Sequence, residues 1–176
     1  MSARILPLLV VLIAAPAAAQ PVARTGPAAA IEAVGGYAGF IDESLIGHTV
    51  FGASGRLYLS PRVSVGPEFV YMRGPGFDRD LFLTGNVTID LLAPAVSARR
   101  GTVNPFLVAG GGLMRHSDRF GSSTFASSEG AVTGGAGARV WLTDRVYALG
   151  EFRLGWEPHY RVTGGVGIAL GDRVWR

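Results

Sequence analysis

Residues 81–91 read Leu-Phe-Leu-Thr-Gly-Asn-Val-Thr-Ile-Asp-Leu. The odd-numbered positions from Leu81 to Leu91 are all apolar or glycine, whereas the even-numbered positions from Thr84 to Asp90 are all polar. Successive side chains of a β-strand point to opposite faces. The stretch therefore predicts a strand with one apolar and one polar surface.

The same alternation recurs along the chain and predicts eight strands, each near the roughly 9–11 residues that a tilted strand needs to cross a bilayer. Tight turns, at 60–62 and 143–145, alternate with longer polar segments at 42–48, 73–79 and 117–129. Short turns at one end and longer loops at the other are typical of an up-and-down, antiparallel transmembrane β-barrel. The predicted strands are 31–41, 49–59, 62–72, 80–92, 104–116, 130–142, 145–156 and 160–170.

Charged residues collect on the polar face of these predicted strands. An Arg or Lys that faces lipid at the bilayer midplane costs about 2–4 kcal/mol, so a membrane enforces such sorting. Four of the residues are acids and four are bases. Because unpaired buried charges are costly, we expect a structural network of ion pairs that closes the lumen. The predicted network consists of Glu32, Arg56, Glu68, Asp90, Arg139, Glu151, Arg153 and Arg161.

The N-terminus predicts a cleaved signal peptide over residues 1–19. Arg4 supplies a positive charge, residues 5–15 form an apolar core, and 17–19 read Ala-Ala-Ala, the small-x-small pattern that signal peptidase recognises. The apolar run is shorter than the about 20 residues of a spanning helix. After cleavage, the prediction is a short N-terminal segment (20–30), a barrel (31–170) and a C-terminal tail (171–176).

Composition agrees with a membrane barrel. Mean hydropathy is +0.32 and 16% of residues are charged, against about a quarter in an average domain. Alternating lipid-facing strands produce such a composition without long apolar runs. The chain has no cysteine, so closed backbone pairing or a core, rather than disulfides, must stabilise it. The basic residues are scattered, and we expect contacts with anionic lipid but no nucleic-acid partner.

No motif for catalysis or cofactor binding stands out. Glycine runs such as 110–112 are followed by no predicted helix, as a phosphate-binding loop requires. His48, His116 and His159 fall at predicted loop ends, where solvated side chains are expected. Ser117 follows His116 directly, and adjacent strand residues point to opposite faces. The sequence therefore predicts no catalytic, cofactor-binding or metal-binding residue, and a protein that is not an enzyme.

The chain resembles the small outer-membrane β-barrel proteins, the OmpA- and OmpX-like group. The resemblance is carried by the signal peptide, by the strand segments 52–59 (Gly-Ala-Ser-Gly-Arg-Leu-Tyr-Leu) and 162–170 (Val-Thr-Gly-Gly-Val-Gly-Ile-Ala-Leu), and by the turn 142–146 (Leu-Thr-Asp-Arg-Val). It implies a location in the outer membrane of a Gram-negative cell. It also implies contact with outer-membrane lipid, lipopolysaccharide and the insertion machinery, and a role in envelope integrity or surface interaction.

Two features depart from that group. Pro67 lies inside a predicted strand, where it removes a ladder hydrogen bond. The last predicted strand stops at Leu170, whereas such barrels usually end on an aromatic residue that the insertion machinery reads. Trp175 is the candidate for that residue.

Three functions are compatible with the pattern. The first is a non-enzymatic outer-membrane barrel with a structural, envelope-integrity or surface-interaction role. The second is a soluble periplasmic, lipocalin-like barrel that binds a small apolar ligand, which requires the apolar face to point inward. The third is a lipid A-modifying hydrolase of the outer membrane. Enzymes of that kind place His and Ser two apart on one strand face near a Glu, a spacing that His116 and Ser117 do not have.

Overall fold

The structure is a computed structural model that describes residues 24–42, 44–92, 99–121, 123–156 and 158–175. The predicted signal peptide lies outside these ranges. Within the described part of the chain, no helix is long and apolar enough to cross a membrane.

Eight antiparallel strands form a closed barrel in which each strand pairs with its neighbours in sequence and the last pairs with the first. Because the barrel is closed, every strand has a hydrogen-bonded neighbour on both sides, which is the condition for placing a sheet in lipid. The prediction of an all-β, eight-stranded up-and-down barrel is confirmed. The strands are β1 (Arg24–Asp42), β2 (Ser44–Tyr58), β3 (Val63–Arg73), β4 (Arg79–Asp90), β5 (Val103–Phe120), β6 (Ser123–Trp141), β7 (Val146–Gly155) and β8 (His159–Trp175).

The two ends of the barrel differ. The β1–β2, β3–β4, β5–β6 and β7–β8 connections lie at one end, which we call the loop end. The other three connections lie at the opposite end, together with the N-terminal end of β1 and the C-terminal end of β8. We call this the turn end.

Several strands run further than their predicted limits. The predicted loops 42–48 and 117–129 are paired almost throughout, because β2 begins at Ser44 and β5 continues to Phe120. The barrel itself extends past 31–170, since β1 begins at Arg24 and β8 ends at Trp175. In the extensions of β5 and β6 the outward positions are polar or small, so apolar alternation stops while backbone pairing goes on.

Pro67 is accommodated without a bulge. Pairing between β2 and β3 is present at Ser54–Glu68 and returns at Leu57–Val65 in the same register. The two residue pairs between them are not joined in the ladder, as expected where a proline lacks the N–H donor. A short gap in pairing therefore replaces the register slip that a bulge would cause.

Because the barrel is tightly curved, some inward-facing positions have room for glycine only. A Cβ atom at Gly165 would lie 2.1 Å from the carbonyl oxygen of Ala33 on β1, whereas one at its outward-facing neighbour Gly164 would lie 3.8 Å from the nearest atom. The inward glycine allows β1 and β8 to approach where the small barrel bends most.

The outward faces form a wide apolar surface, which we call the belt. Its side chains are large, and roughly half of the surface of each is exposed, far more apolar area than a soluble monomer presents. The lipocalin-like alternative requires the reverse facing, with the apolar side chains inside. The belt includes Ile31, Phe51, Leu57, Phe69, Leu83, Val87, Ile89, Leu107, Leu113, Val132, Phe152, Leu154, Val162, Val166 and Ile168.

Candidate functional site

The inward faces fill the lumen in layers. Along β4 from the loop end, Asp80, Phe82, Asn86 and Asp90 each lie in a different layer, and all four are buried. The layers are a polar mouth, an apolar layer, a central ion cluster and a turn-end ion cluster. The eight charged residues predicted to face inward are all buried and all belong to the two ion clusters.

The turn-end cluster is built around Glu32 and Arg139. The Glu32 Oε1 atom lies 2.8 Å from Arg56 Nε and 3.4 Å from Arg139 Nε, and it accepts a 2.8 Å hydrogen bond from the Tyr147 hydroxyl. Arg139 Nη1 also donates to Asp90. Two carboxylates therefore meet two guanidinium groups, and the cluster has no formal net charge.

The central cluster repeats this balance with a different set of strands. Arg153 contacts Glu151 at 2.6 Å and Glu68 at 2.9 Å, while Arg161 contacts Glu68 at 2.7 Å and Glu151 at 3.4 Å. Asn86 donates a further 3.0 Å hydrogen bond to Glu68. Each carboxylate thus has more than one donor, which is what a buried charge requires.

Apolar side chains pack beside the two ion clusters. Between the central cluster and the loop end lie Val50, Val70, Met72, Phe82 and Met114. Beside the turn-end cluster lie Tyr58, Trp141 and Tyr147, with Trp175 of β8 packed against them. An eight-stranded barrel has an interior just wide enough for side chains, and here they fill it.

At the loop end the lumen opens into a cavity of about 460 Å³, which we call the mouth cavity. Four polar side chains on its wall form what we call the mouth cluster. They come from β2, from the residue that precedes β4, from β4 itself and from β5. The mouth cluster consists of His48, Asp78, Asp80 and His116.

The mouth cluster is compact. His48 Nε2 lies 2.9 Å from Asp78 Oδ2 and 3.2 Å from Asp80 Oδ2. His116 Nδ1 lies 2.7 Å from Asp80 Oδ1 and 3.6 Å from Asp78 Oδ1. Burial raises the pKa of the Asp78 carboxyl, and the neighbouring His48 acts in the opposite direction. This cluster lines the mouth cavity, which is open at the loop end.

The expectation of solvated loop histidines is wrong for two of the three. His48 and His159 are 2% and 3% exposed, and His159 stacks on Phe40. The reason is that β2 and β8 continue past their predicted ends and carry these residues on their inward faces. His116 is half-buried.

A serine nucleophile is not assembled at this site. Ser117 follows His116 and lies on the opposite, outward face of β5, as the sequence predicts. Ser127 of β6 is the register partner of His116 and lines the same cavity. No hydrogen bond joins the described side chains of Ser127 and His116, so the Asp80–His116 pair has no activated hydroxyl beside it.

No protein-family model and no curated protein matches the chain. Among solved structures, the N-terminal β-barrel domain of Pseudomonas aeruginosa OprF is similar at 15% identity and a TM-score of 0.64, covering 85% of this chain and 100% of that one. Neisserial surface protein A (NspA) is similar at 12% identity and a TM-score of 0.70, covering 83% and 99%. A de novo designed transmembrane β-barrel is similar at 17% identity and 0.50, covering 84% and 99%. The chain therefore has the fold of the small eight-stranded outer-membrane β-barrels.

Proposed function

We propose that the protein is a non-enzymatic β-barrel of the outer membrane that serves a structural, envelope-integrity or surface-interaction role. The observation that carries this proposal is the polarity of the fold: a closed barrel with a large exposed apolar belt outside and paired charges inside. In water such a surface would aggregate, whereas in lipid it is the stable arrangement. A predicted signal peptide supplies the route of export.

A packed lumen argues against transport as the role. Both ion clusters have as many acids as bases, so neither presents a field that would select an ion. The apolar layer of Val50, Val70, Met72, Phe82 and Met114 lies between the mouth cavity and the central cluster. Bulk diffusion would have to displace all of these layers. The chemistry that the protein can offer to a partner is therefore on its surface, at the loop end above all.

An outward-facing group of arginines supports lipopolysaccharide as a lipid partner. Arg73 and Arg79 are register partners on β3 and β4, and Arg115 faces outward on β5 beside Leu81. All three are exposed, and none forms an ion pair with another described residue. Arg115 shares the outward face with Leu113, so it marks where the belt ends. Guanidinium groups at that height suit the phosphates of a lipid headgroup.

Removing these three guanidinium groups is expected to weaken lipopolysaccharide binding by roughly tenfold, because each exposed charge contact contributes about 0.2–1 kcal/mol. The variant is Arg73→Gln, Arg79→Gln and Arg115→Gln combined, refolded in detergent and titrated with purified lipopolysaccharide. The matched control replaces three exposed turn-end arginines, Arg62, Arg99 and Arg100, with Gln. Equal affinities in the two triple variants would remove this face from the proposal.

The proposed location and state are tested by fractionating cells that express the full chain and running the samples on SDS gels with and without heating. We expect the protein in the outer-membrane fraction, with a faster band in the unheated sample, because a closed barrel resists SDS until it is heated. A soluble periplasmic band that needs no detergent would overturn the proposal and favour a water-soluble barrel. A membrane-bound chain without a mobility shift would mean that the barrel does not close in the cell.

A further inference from the structure

The mouth cluster has a geometry that ion pairs alone do not explain. The Nε2 atom of His48 is buried and makes no hydrogen bond of acceptable geometry, although it lies about equally far from two carboxylates. Asp78 Oδ1 is also buried without a hydrogen-bond partner. Buried polar atoms are rarely left in this state without an ion or a water between them.

We propose that the mouth of the barrel binds a divalent transition-metal ion of the Zn²⁺ type, with His48, Asp78 and Asp80 as ligands and His116 as the fourth. The first three can each offer one ligand atom such that all of these atoms lie within 4.8 Å of one another. This site goes beyond the proposed function and depends only on the barrel being folded.

The separations between His48 and the two aspartates match those of a tetrahedral site. Zn²⁺ lies about 2.0–2.2 Å from imidazole nitrogen and carboxylate oxygen, so the ligand atoms around it stand about 3.3 Å apart. His48 Nε2 lies 2.9 Å from Asp78 Oδ2 and 3.2 Å from Asp80 Oδ2, whereas His116 Nδ1 faces the other oxygen of each aspartate, at 2.7 Å from Asp80 Oδ1 and 3.6 Å from Asp78 Oδ1. Small movements of His48, Asp78 and Asp80 are enough to place one ion among them, and rotation of the two carboxylates turns the same oxygens toward His116.

The backbone hydrogen bond of His48 favours the tautomer that metal binding requires, with the proton on Nδ1 and the lone pair on Nε2. Its Nδ1 atom lies 3.3 Å from the carbonyl oxygen of Ile46, an acceptor, so Nδ1 carries the proton. The lone pair of Nε2 then points to the two aspartates. Backbone hydrogen bonds of this kind orient most histidines that bind metal ions.

Space for the ion is kept by a glycine. A Cβ atom at Gly74 would lie 2.4 Å from Asp78 Oδ2 and 2.5 Å from His48 Nε2, so any larger residue there would push these two ligand atoms out of place. The mouth cavity, of about 460 Å³, gives an ion a path from the loop end. Both the ligands and the access to them are therefore present in the folded barrel.

The mixed donor set selects the class of metal. Ca²⁺ and Mg²⁺ prefer sites made of oxygen atoms alone. Two imidazoles with two carboxylates suit Zn²⁺ and its first-row neighbours. The alternative to metal binding is protonation of both histidines, which then form ion pairs with the aspartates. In that state the cluster binds no metal.

The test uses the full mature chain, refolded in detergent, stripped with a chelator and titrated calorimetrically with ZnCl₂ near neutral pH and then with MgCl₂. We expect saturable binding of one Zn²⁺ and no comparable binding of Mg²⁺. His48→Gln and Asp78→Asn should each weaken Zn²⁺ binding by more than about 100-fold, and Gly74→Ala should weaken it by roughly tenfold without removing a ligand. Glu129→Gln, at an exposed residue of the same cavity, is the matched control and should bind as the parent does.

Folding of every variant is checked by the heat-dependent gel shift before titration. Asp78 precedes β4 and is not part of the barrel wall, so its variant keeps the test informative should His48→Gln fail to fold. Absence of saturable Zn²⁺ binding in the parent would overturn the proposal in favour of protonated ion pairs. Unchanged affinity in His48→Gln and Asp78→Asn would place the bound zinc elsewhere and overturn it equally.

Discussion

Replacing Arg139 with methionine is expected to destabilise the barrel by about 3–5 kcal/mol, the typical cost of removing one partner from a buried ion pair. Arg139 is 1% exposed and contacts both Glu32 and Asp90, which are themselves buried. Without it, Arg56 alone faces two carboxylates. The guanidinium group also lies 4.1 Å from the centre of the Phe106 ring, a contact that methionine replaces only in part.

The measurement is the urea midpoint of unfolding in lipid vesicles, read from the gel shift of unheated samples. Arg145→Met is the matched control, because Arg145 and Asp172 are 70% and 71% exposed and stand 3.9 Å apart. That change is expected to lie within about 0.5 kcal/mol of the parent.

A double variant separates charge from packing. Arg139→Met combined with Asp90→Leu removes a whole ion pair, and replacing both partners with apolar groups is often close to neutral. We therefore expect it to recover much of the stability that Arg139→Met loses. If Arg139→Met were as stable as Arg145→Met, ion pairing would not be what closes the turn end of the lumen.

The fold can be predicted because two properties of the sequence, its period-two alternation and the placement of its charged residues, carry the same information. Period-two alternation, as in residues 81–91, and the position of charges both depend only on which face of a strand a residue occupies. Neither property requires knowledge of how neighbouring strands pair in register. This is why the strands and the inward position of Glu32, Arg139 and their six companions follow from the sequence.

The division of those charges into two clusters does not follow from it. Glu32 on β1 contacts Arg139 on β6 across the lumen, 107 residues away in the chain. Such a contact depends on the registers of every strand pair between them, and on barrel curvature. Neither property leaves a local pattern in the sequence.

The mouth cluster is not predicted from the sequence, for a different reason. The sequence predicts loop ends at His48 and His116 because apolar alternation stops near them, although the strands continue. A signal was present: His48 shares its parity with Arg56, and Asp80 shares its parity with Asp90, both on the predicted inward face. Carrying the parity of each strand outward beyond the belt would have placed these side chains in the lumen.

The belt provides the second large effect, through Val166→Arg. Val166 faces outward on β8, 54% exposed, and lies six residues from Tyr160 at the loop end of the belt and six from the exposed charge of Asp172 at the turn end. An arginine there would sit near the bilayer midplane. The expected loss is about 2–4 kcal/mol in lipid vesicles.

Val174→Arg is the control that isolates the membrane. Val174 lies on the same strand, faces outward in the β1–β8 ladder and is 58% exposed, but it lies beyond Asp172 and hence outside the belt. Arginine near or past the interface costs about 0–1 kcal/mol. The two variants share the residue type, the strand and the degree of exposure, so the difference between them reports what surrounds the barrel. In a barrel surrounded by water, both substitutions would change the free energy of unfolding by no more than about 0.5 kcal/mol, the usual range for exposed positions. Equal stabilities of the two variants would therefore contradict a lipid-facing belt, even with the fold intact.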